Sequence, residues 1–359
     1  MTRKYAFELF LKLSNMQKNE DERILQYEEE IKKVFTKIEK AVYDRQNRLE
    51  KEITELKSYK NRTVFTGHEQ KFPNGCKSCL TGNGLGAVRK TNKCNLNCKF
   101  CYYYGELDVQ PAIVDDMWEI GGTIYYEDDV KTLLEIQDPP SGIAYVYLEP
   151  FLEIEKYYSL ISLFSGAGIY QHLYTNGTLA TDENLKKLGQ AGLNEIRFNL
   201  GASHCSPQVI ENMQIAKKYI KSVGIETPMT REFYSEFLEN SEAILNTGID
   251  FINCAELHLN EQNILNYKGE SLYVARQGYV SPIFSRELTL KLMKQATDQK
   301  WDILIHDCSN HTKFMRHINA ANKDVLPFGS STYSSEFTEL PLDAFLPTIK
   351  DESIKFDDD

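Results

Sequence analysis

Apolar positions change their period partway along the chain. Ile24, Ile31, Phe35, Ile38, Val42, Leu49, Ile53 and Leu56 follow one another in steps of three, four and seven. Such steps lay one apolar stripe along a helix. Residues 1–62 contain no Gly or Pro, so this stretch predicts one long helix or a pair in a hairpin. Two readings of this helical extension stay open: packing on the outside of the next domain, or a coiled coil that forms a dimer or docks a partner. Residues 63–85 are a turn-rich linker. From residue 86 short apolar runs alternate with helical stretches. Strands are expected at 87–92, 143–150, 170–174, 194–200, 224–229, 251–259 and 302–306. Helices are expected at 128–137, 153–166, 207–221, 231–247 and 287–299, with another around Leu185 and Leu188. Alternation of this kind predicts an α/β fold with a parallel barrel over 86–325. Residues 326–359 read as an extended acidic tail ending in Asp357-Asp358-Asp359.

A chain of 359 residues suits one α/β barrel domain of about 250 residues plus an extension. The net charge of −11 argues against nucleic acid and anionic membrane surfaces as partners, since both demand a basic face. No apolar run approaches the roughly 20 residues that span a bilayer. The first ten residues make a poor signal peptide, because Glu8 interrupts them. Eight cysteines in a large chain without a secretory signal read as thiols or metal ligands. The expected location is cytoplasmic.

Three of those cysteines, Cys94, Cys98 and Cys101, stand at C-x3-C-x2-C spacing just after the first barrel strand. Barrel enzymes place their chemistry at that end of a strand. Thiolates are soft ligands that hold iron–sulfur clusters. Three of them can hold three irons of a 4Fe-4S cluster and leave the fourth open. A structural zinc site takes four ligands, and no fourth follows closely. The spacing, with Phe100 just before the last cysteine, resembles the signature of the radical S-adenosylmethionine (radical SAM) superfamily. The resemblance covers roughly residues 86–308 and includes Thr175-Asn176-Gly177 and the count of about six strand–helix units.

The resemblance implies a partial (β/α)6 barrel, a 4Fe-4S cluster and S-adenosyl-L-methionine. It also implies an electron donor such as flavodoxin or ferredoxin, and a 5′-deoxyadenosyl radical that takes hydrogen from a small-molecule or peptide substrate. An alternative is an activase that installs a glycyl radical on a partner enzyme. A different class is a non-catalytic metal-binding scaffold protein. The family usually ends its second strand in Gly-Gly-Glu-Pro. Here Tyr147-Leu148-Glu149-Pro150 keeps only the last two, and the resemblance gives Glu149 the cofactor's ammonium. It likewise places Phe100 near the adenine and Asn199 near the ribose or carboxylate. Arg231, just past strand five, has the fork to pair with the cofactor's carboxylate.

Beyond the cofactor, alternation along 253–259 sends Cys254, Glu256 and His258 to one face. Glu256 and His258 are then substrate-site candidates. Cys308, on the last strand, is a candidate hydrogen-atom donor or ligand of a second cluster. Cys76 and Cys79 form a C-x2-C pair able to grip a second metal if Cys205, Cys254 or Cys308 joins from elsewhere. An auxiliary cluster, a zinc knuckle and a metal-free thiol pair all remain open for them.

Overall fold

The computed structural model describes residues 22–81, 84–105, 116–136, 140–275 and 279–314. Side chains are described from Phe35 onward, Leu133 and Ile136 excepted. The acidic tail at 326–359 and the first 21 residues lie outside the described residues.

Seven strands run parallel: β3 (Leu85–Arg89), β6 (Gly142–Tyr145), β7 (Tyr170–Thr175), β8 (Glu195–Phe198), β9 (Ser222–Pro228), β10 (Phe251–Ala255) and β13 (Leu304–Cys308). They lie in that spatial order, as an open barrel should. Each edge carries an antiparallel hairpin. β4 (Met117–Ile120) and β5 (Thr123–Tyr126) extend from β3. On the other side, β2 (Thr63–Thr66) joins β13 and is flanked by β1 (Lys57–Tyr59). The fold is the expected partial α/β barrel, with helices over its outer face.

Alternation along the strands sorts the residues. Leu173, Ile196, Ile225, Ile252 and Ile305 face the outer helices and share one apolar core with them. Tyr174, Arg197, Glu226, Asn253 and His306 face a cavity inside the barrel. A separate antiparallel pair joins β11 (Leu272–Val274) to β12 (Val280–Pro282). Past residue 81 the helices are α3 (Glu127–Ile136), α4 (Tyr158–Gly166), α5 (Asp182–Ala191), α6 (Pro207–Ala216), α7 (Arg231–Glu239), α8 (Ser241–Asn246) and α9 (Phe284–Asp298). Hydroxyls cap three of them where they leave the barrel mouth. Thr181 accepts from Asn184 N, Ser206 from Val209 N and Thr230 from Phe233 N, each filling an otherwise unpaired amide.

The expected extension and linker differ from what forms. Helix α1 (Glu22–Glu50) stops well before residue 62, and residues 57–66 turn back as the β1–β2 hairpin. Lys60 and Asn61 make its turn at φ of 51° and 55°. β2 then adds to β13, so sheet hydrogen bonds replace the continued helix. The linker holds β2 and a buried helix, α2 (Asn74–Thr81). Helix α1 packs on the barrel: Ile38 and Val42 are buried with Tyr273 and Tyr279, and Arg45 pairs with Glu287 at 2.5 Å. Arg286 bonds Gln46, Glu50 and Asp307, tying the helix to the last strand.

Helix α2 fills the lower lumen. A Cβ at Gly75 would stand 2.6 Å from Arg197 Nη2 and 2.8 Å from His172 Cε1, so only a residue without one lets α2 approach this closely. The cavity that remains is about 30 Å³, lined by Cys76, Cys79, Cys308, Arg197, His306 and Lys313 among others.

Candidate active site

The cysteine loop leaves β3 at the barrel mouth, and hydrogen bonds from three directions hold it. Cys101 N donates to Cys98 O at 2.9 Å, and Tyr104 N to Cys101 O at 3.1 Å. Asn176 Nδ2 donates to Asn95 Oδ1 at 2.8 Å and lies 4.0 Å from Cys94 Sγ. Tyr103 N donates to Cys101 Sγ at 3.4 Å. All three thiols are half-buried and free. Burial, with Cys101 and Cys94 nearby, pushes the Cys98 thiol up to about 12. Burial also raises Cys94 and Cys101.

Among the described residues, no three His, Cys, Asp or Glu side chains stand together as ligands of one metal ion. A cubane makes a different demand, because each thiolate serves its own iron. Three soft donors in one short mouth loop, one already accepting an amide N–H, fit the protein side of such a cluster. Loading it would release the thiol protons.

Glu149 is fully buried behind this loop. Its Oε1 accepts from Thr175 Oγ1 at 2.7 Å and Phe151 N at 3.0 Å, and its Oε2 from Asn176 N at 2.7 Å. Its own N–H donates to Lys93 O at 3.0 Å. Burial raises its carboxyl to about 7, against the pull of those three hydrogen bonds. The carboxylate expected to face the cofactor's ammonium is thus already an acceptor of three protein hydrogen bonds. It locks the Thr175–Asn176 turn to the cysteine loop. The two residues before it stand at positive φ, Tyr147 at 70° and Leu148 at 54°. That is the left-handed conformation glycine adopts freely and other residues enter at about 1–2 kcal/mol each. The turn keeps a glycine conformation after losing its glycines, and strain of this kind gathers at functional sites.

The other expected cofactor residues have these protein contacts. Phe100 packs with Leu257, Leu259, Ile264, Leu272 and Val280 in a small core beside the loop. Asn199 spends Oδ1 on Ala202 N at 3.1 Å and Thr227 Oγ1 at 2.8 Å, capping a short turn. Arg231 is exposed, paired with Glu270 at 3.3 Å and set over the Phe284 ring.

β10 ends at Ala255, so the alternation read through 259 does not hold. Cys254 faces the helices, in the outer core. Glu256 and His258 lie past the strand end, both buried. Glu256 accepts from Tyr273 OH at 2.5 Å and Asn310 N at 2.6 Å, and burial raises its carboxyl. His258 Nε2 lies 2.6 Å from Asn310 Oδ1 and 2.9 Å from Lys313 Nζ, and its ring stacks on Tyr279. Cys308 meets Cys76 and Cys79 at the lumen cavity, where burial pushes it up to about 12. These three thiols share a space but do not stand as ligands of one ion.

Residues 88–254 match the radical SAM superfamily profile. This domain belongs to the radical SAM superfamily. A Methanocaldococcus jannaschii protein named as a glycyl-radical enzyme activating enzyme is 28% identical over 279 residues, 72% of this chain and 70% of that one. A Pyrococcus furiosus cofactor-modifying protein of tungsten-containing aldehyde ferredoxin oxidoreductase is 24% identical, over 50% of this chain and 54% of its own. Among solved structures, Streptococcus suis SuiB bound to S-adenosylmethionine aligns at TM-score 0.44 and 13% identity, over 64% of this chain and 51% of SuiB. Methylornithine synthase aligns at 0.43 and 12%, over 79% and 82%. Members of the superfamily that residues 88–254 match are enzymes, which speaks against the non-catalytic scaffold reading. No helix among the described residues is long and apolar enough to cross a membrane.

Sequence reasoning missed Asn176, although it singled out the segment that carries it. It also missed Asn260, Asn263 and Asn266, whose three-residue spacing was the available signal.

Proposed function

We propose that this radical SAM enzyme cleaves S-adenosylmethionine reductively at a cluster on Cys94, Cys98 and Cys101, and uses the resulting radical on a group presented at the barrel mouth. The observation that carries this reading is the three-thiol loop seated against the Glu149–Thr175–Asn176 hydrogen bonds. When bound, the cluster supplies the electron and an open iron. The chain's own residues supply position and shelter. Glu149 and the strained Tyr147–Leu148 turn before it would face the cofactor's ammonium. Glu256, His258 and Lys313 form one buried polar cluster past the end of β10.

A second reading, action on a partner protein as in glycyl-radical activation, has two supports. One is the name carried by the M. jannaschii relative. The other is the lumen beside α2, whose cavity of about 30 Å³ admits a water or two and is too small for a substrate. The test is anaerobic reconstitution with iron and sulfide, then dithionite and S-adenosylmethionine. The wild type should yield 5′-deoxyadenosine and Cys98→Ala none. An iron-loaded wild type that leaves the cofactor intact would overturn the proposal.

A further inference from the structure

Three asparagines from the irregular segment after β10 reach the backbone of the cysteine loop. Asn266 Nδ2 donates to Lys99 O at 2.9 Å, Asn263 Nδ2 to Phe100 O at 3.1 Å and Asn260 Nδ2 to Tyr102 O at 3.0 Å. The residues are three apart and run into a one-turn 3-10 helix, Ile264–Tyr267. At three residues per turn, Asn263 and Asn266 eclipse and project the same way. Loop carbonyls have many available donors, water included. Three side-chain amides on three carbonyls within four residues is a specific arrangement.

Asn263 is the central member and is fully buried. The same Nδ2 group also donates to His258 O at 3.2 Å, and Oδ1 accepts from Asn260 N at 2.9 Å. One side chain thus joins the cysteine loop, the segment just after β10 and its own turn. The peptide it grips lies between Phe100 and Cys101. Its other end is fixed too, because Cys101 N donates to Cys98 O. A peptide plane held at both ends sets the direction in which Cys98 and Cys101 project. It also holds the next turn, where Tyr103 N meets Cys101 Sγ.

We propose that Asn263, supported by Asn260 and Asn266, is a positioning residue for the cluster. It fixes the Phe100–Cys101 peptide and, through that turn, the N–H···S hydrogen bond to Cys101. The proposal rests on the reading that these thiols carry the cluster. Hydrogen bonds to cluster sulfurs help set reduction potential, and groups that orient metal ligands are commonly worth 10–100-fold in metal affinity. No ligand is replaced, so the effect is on the quality of the site.

The test uses Asn263→Asp, which keeps the shape but loses both N–H donors, and the double variant Asn260→Ala/Asn266→Ala. The double variant leaves the buried centre intact and guards against misfolding of the first. In cluster-free protein, amide hydrogen exchange at residues 99–104 should rise about tenfold in either variant, with α4–α6 unchanged. In reconstituted protein, iron loss to a chelator should quicken about tenfold. The cluster's midpoint potential should move downward as the N–H···S bond weakens, a change that looser packing elsewhere would not produce. Wild-type exchange rates and an unmoved potential in both variants, with wild type loaded at about four irons per chain, would overturn this proposal alone. A wild type that takes up no cluster would overturn both it and the reading beneath it.

Discussion

At the mouth of the barrel, neutral hydrogen bonds hold the chain and the sulfurs stay half-exposed. In the lumen, charged side chains are packed against one another. Arg197 is fully buried between Glu195 at 2.6 Å and Glu226 at 2.5 Å, with Cys76 Sγ 3.8 Å from its guanidinium. His306 sits between Thr63 and Asn253, and burial, with Arg197 nearby, lowers it to about 3. The mouth spends backbone strain at Tyr147 and Leu148, and the lumen spends desolvation. Amide clamps can be released without stranding a charge. The lumen cannot open cheaply, which makes it a rigid floor.

The sharpest way to break this contrast is Arg197→Ala. It strands two buried carboxylates and should cost about 3–5 kcal/mol, read as a lowered denaturant midpoint. Replacing Glu195 and Glu226 by Gln in the same chain should recover much of the loss. A change below 1 kcal/mol in the single variant would show that the lumen is not a charge-locked floor.

A smaller effect separates the two regions by pH. Folding raises Glu149 from 4.5 to about 7, so the folded state holds its proton more tightly. Its contribution to stability is full below about pH 4.5 and is lost as pH rises through 7, about 3 kcal/mol in all. His306 has the opposite sign: its folded value is depressed, so its contribution is present above 6.5 and is lost as pH falls towards 3. Comparing wild type with Glu149→Gln isolates the mouth term. The stability difference between them should move against the wild type as pH climbs from 4.5 to 7. A difference flat across that window would mean Glu149 is not held as described.

The parallel strands were legible because each is a short apolar run between helical stretches, and tertiary context agreed with pattern. The cysteine loop was legible from spacing alone. The β1–β2 hairpin was not: Lys57-Ser58-Tyr59 is polar, and its turn uses Lys60 and Asn61 instead of glycine. The β4–β5 hairpin did carry a signal, Gly121-Gly122 between Met117–Ile120 and Thr123–Tyr126, a strong hairpin pattern that helical periodicity elsewhere overshadowed. At the site, residue type predicted polarity but not partner. Glu149, Asn199 and Arg231 each have protein partners that residue type alone did not name. Glu256 and His258 fell beyond the strand end, where period-two reasoning stops.

The central claim is that three thiolates hold a cluster with one iron left for the cofactor. Its most direct test is the electron paramagnetic resonance spectrum of the reduced, reconstituted enzyme, recorded with and without S-adenosylmethionine. The spectrum should change shape when the cofactor is added, and it should be missing from Cys98→Ala. A fully loaded cluster whose signal is indifferent to the cofactor would contradict the account.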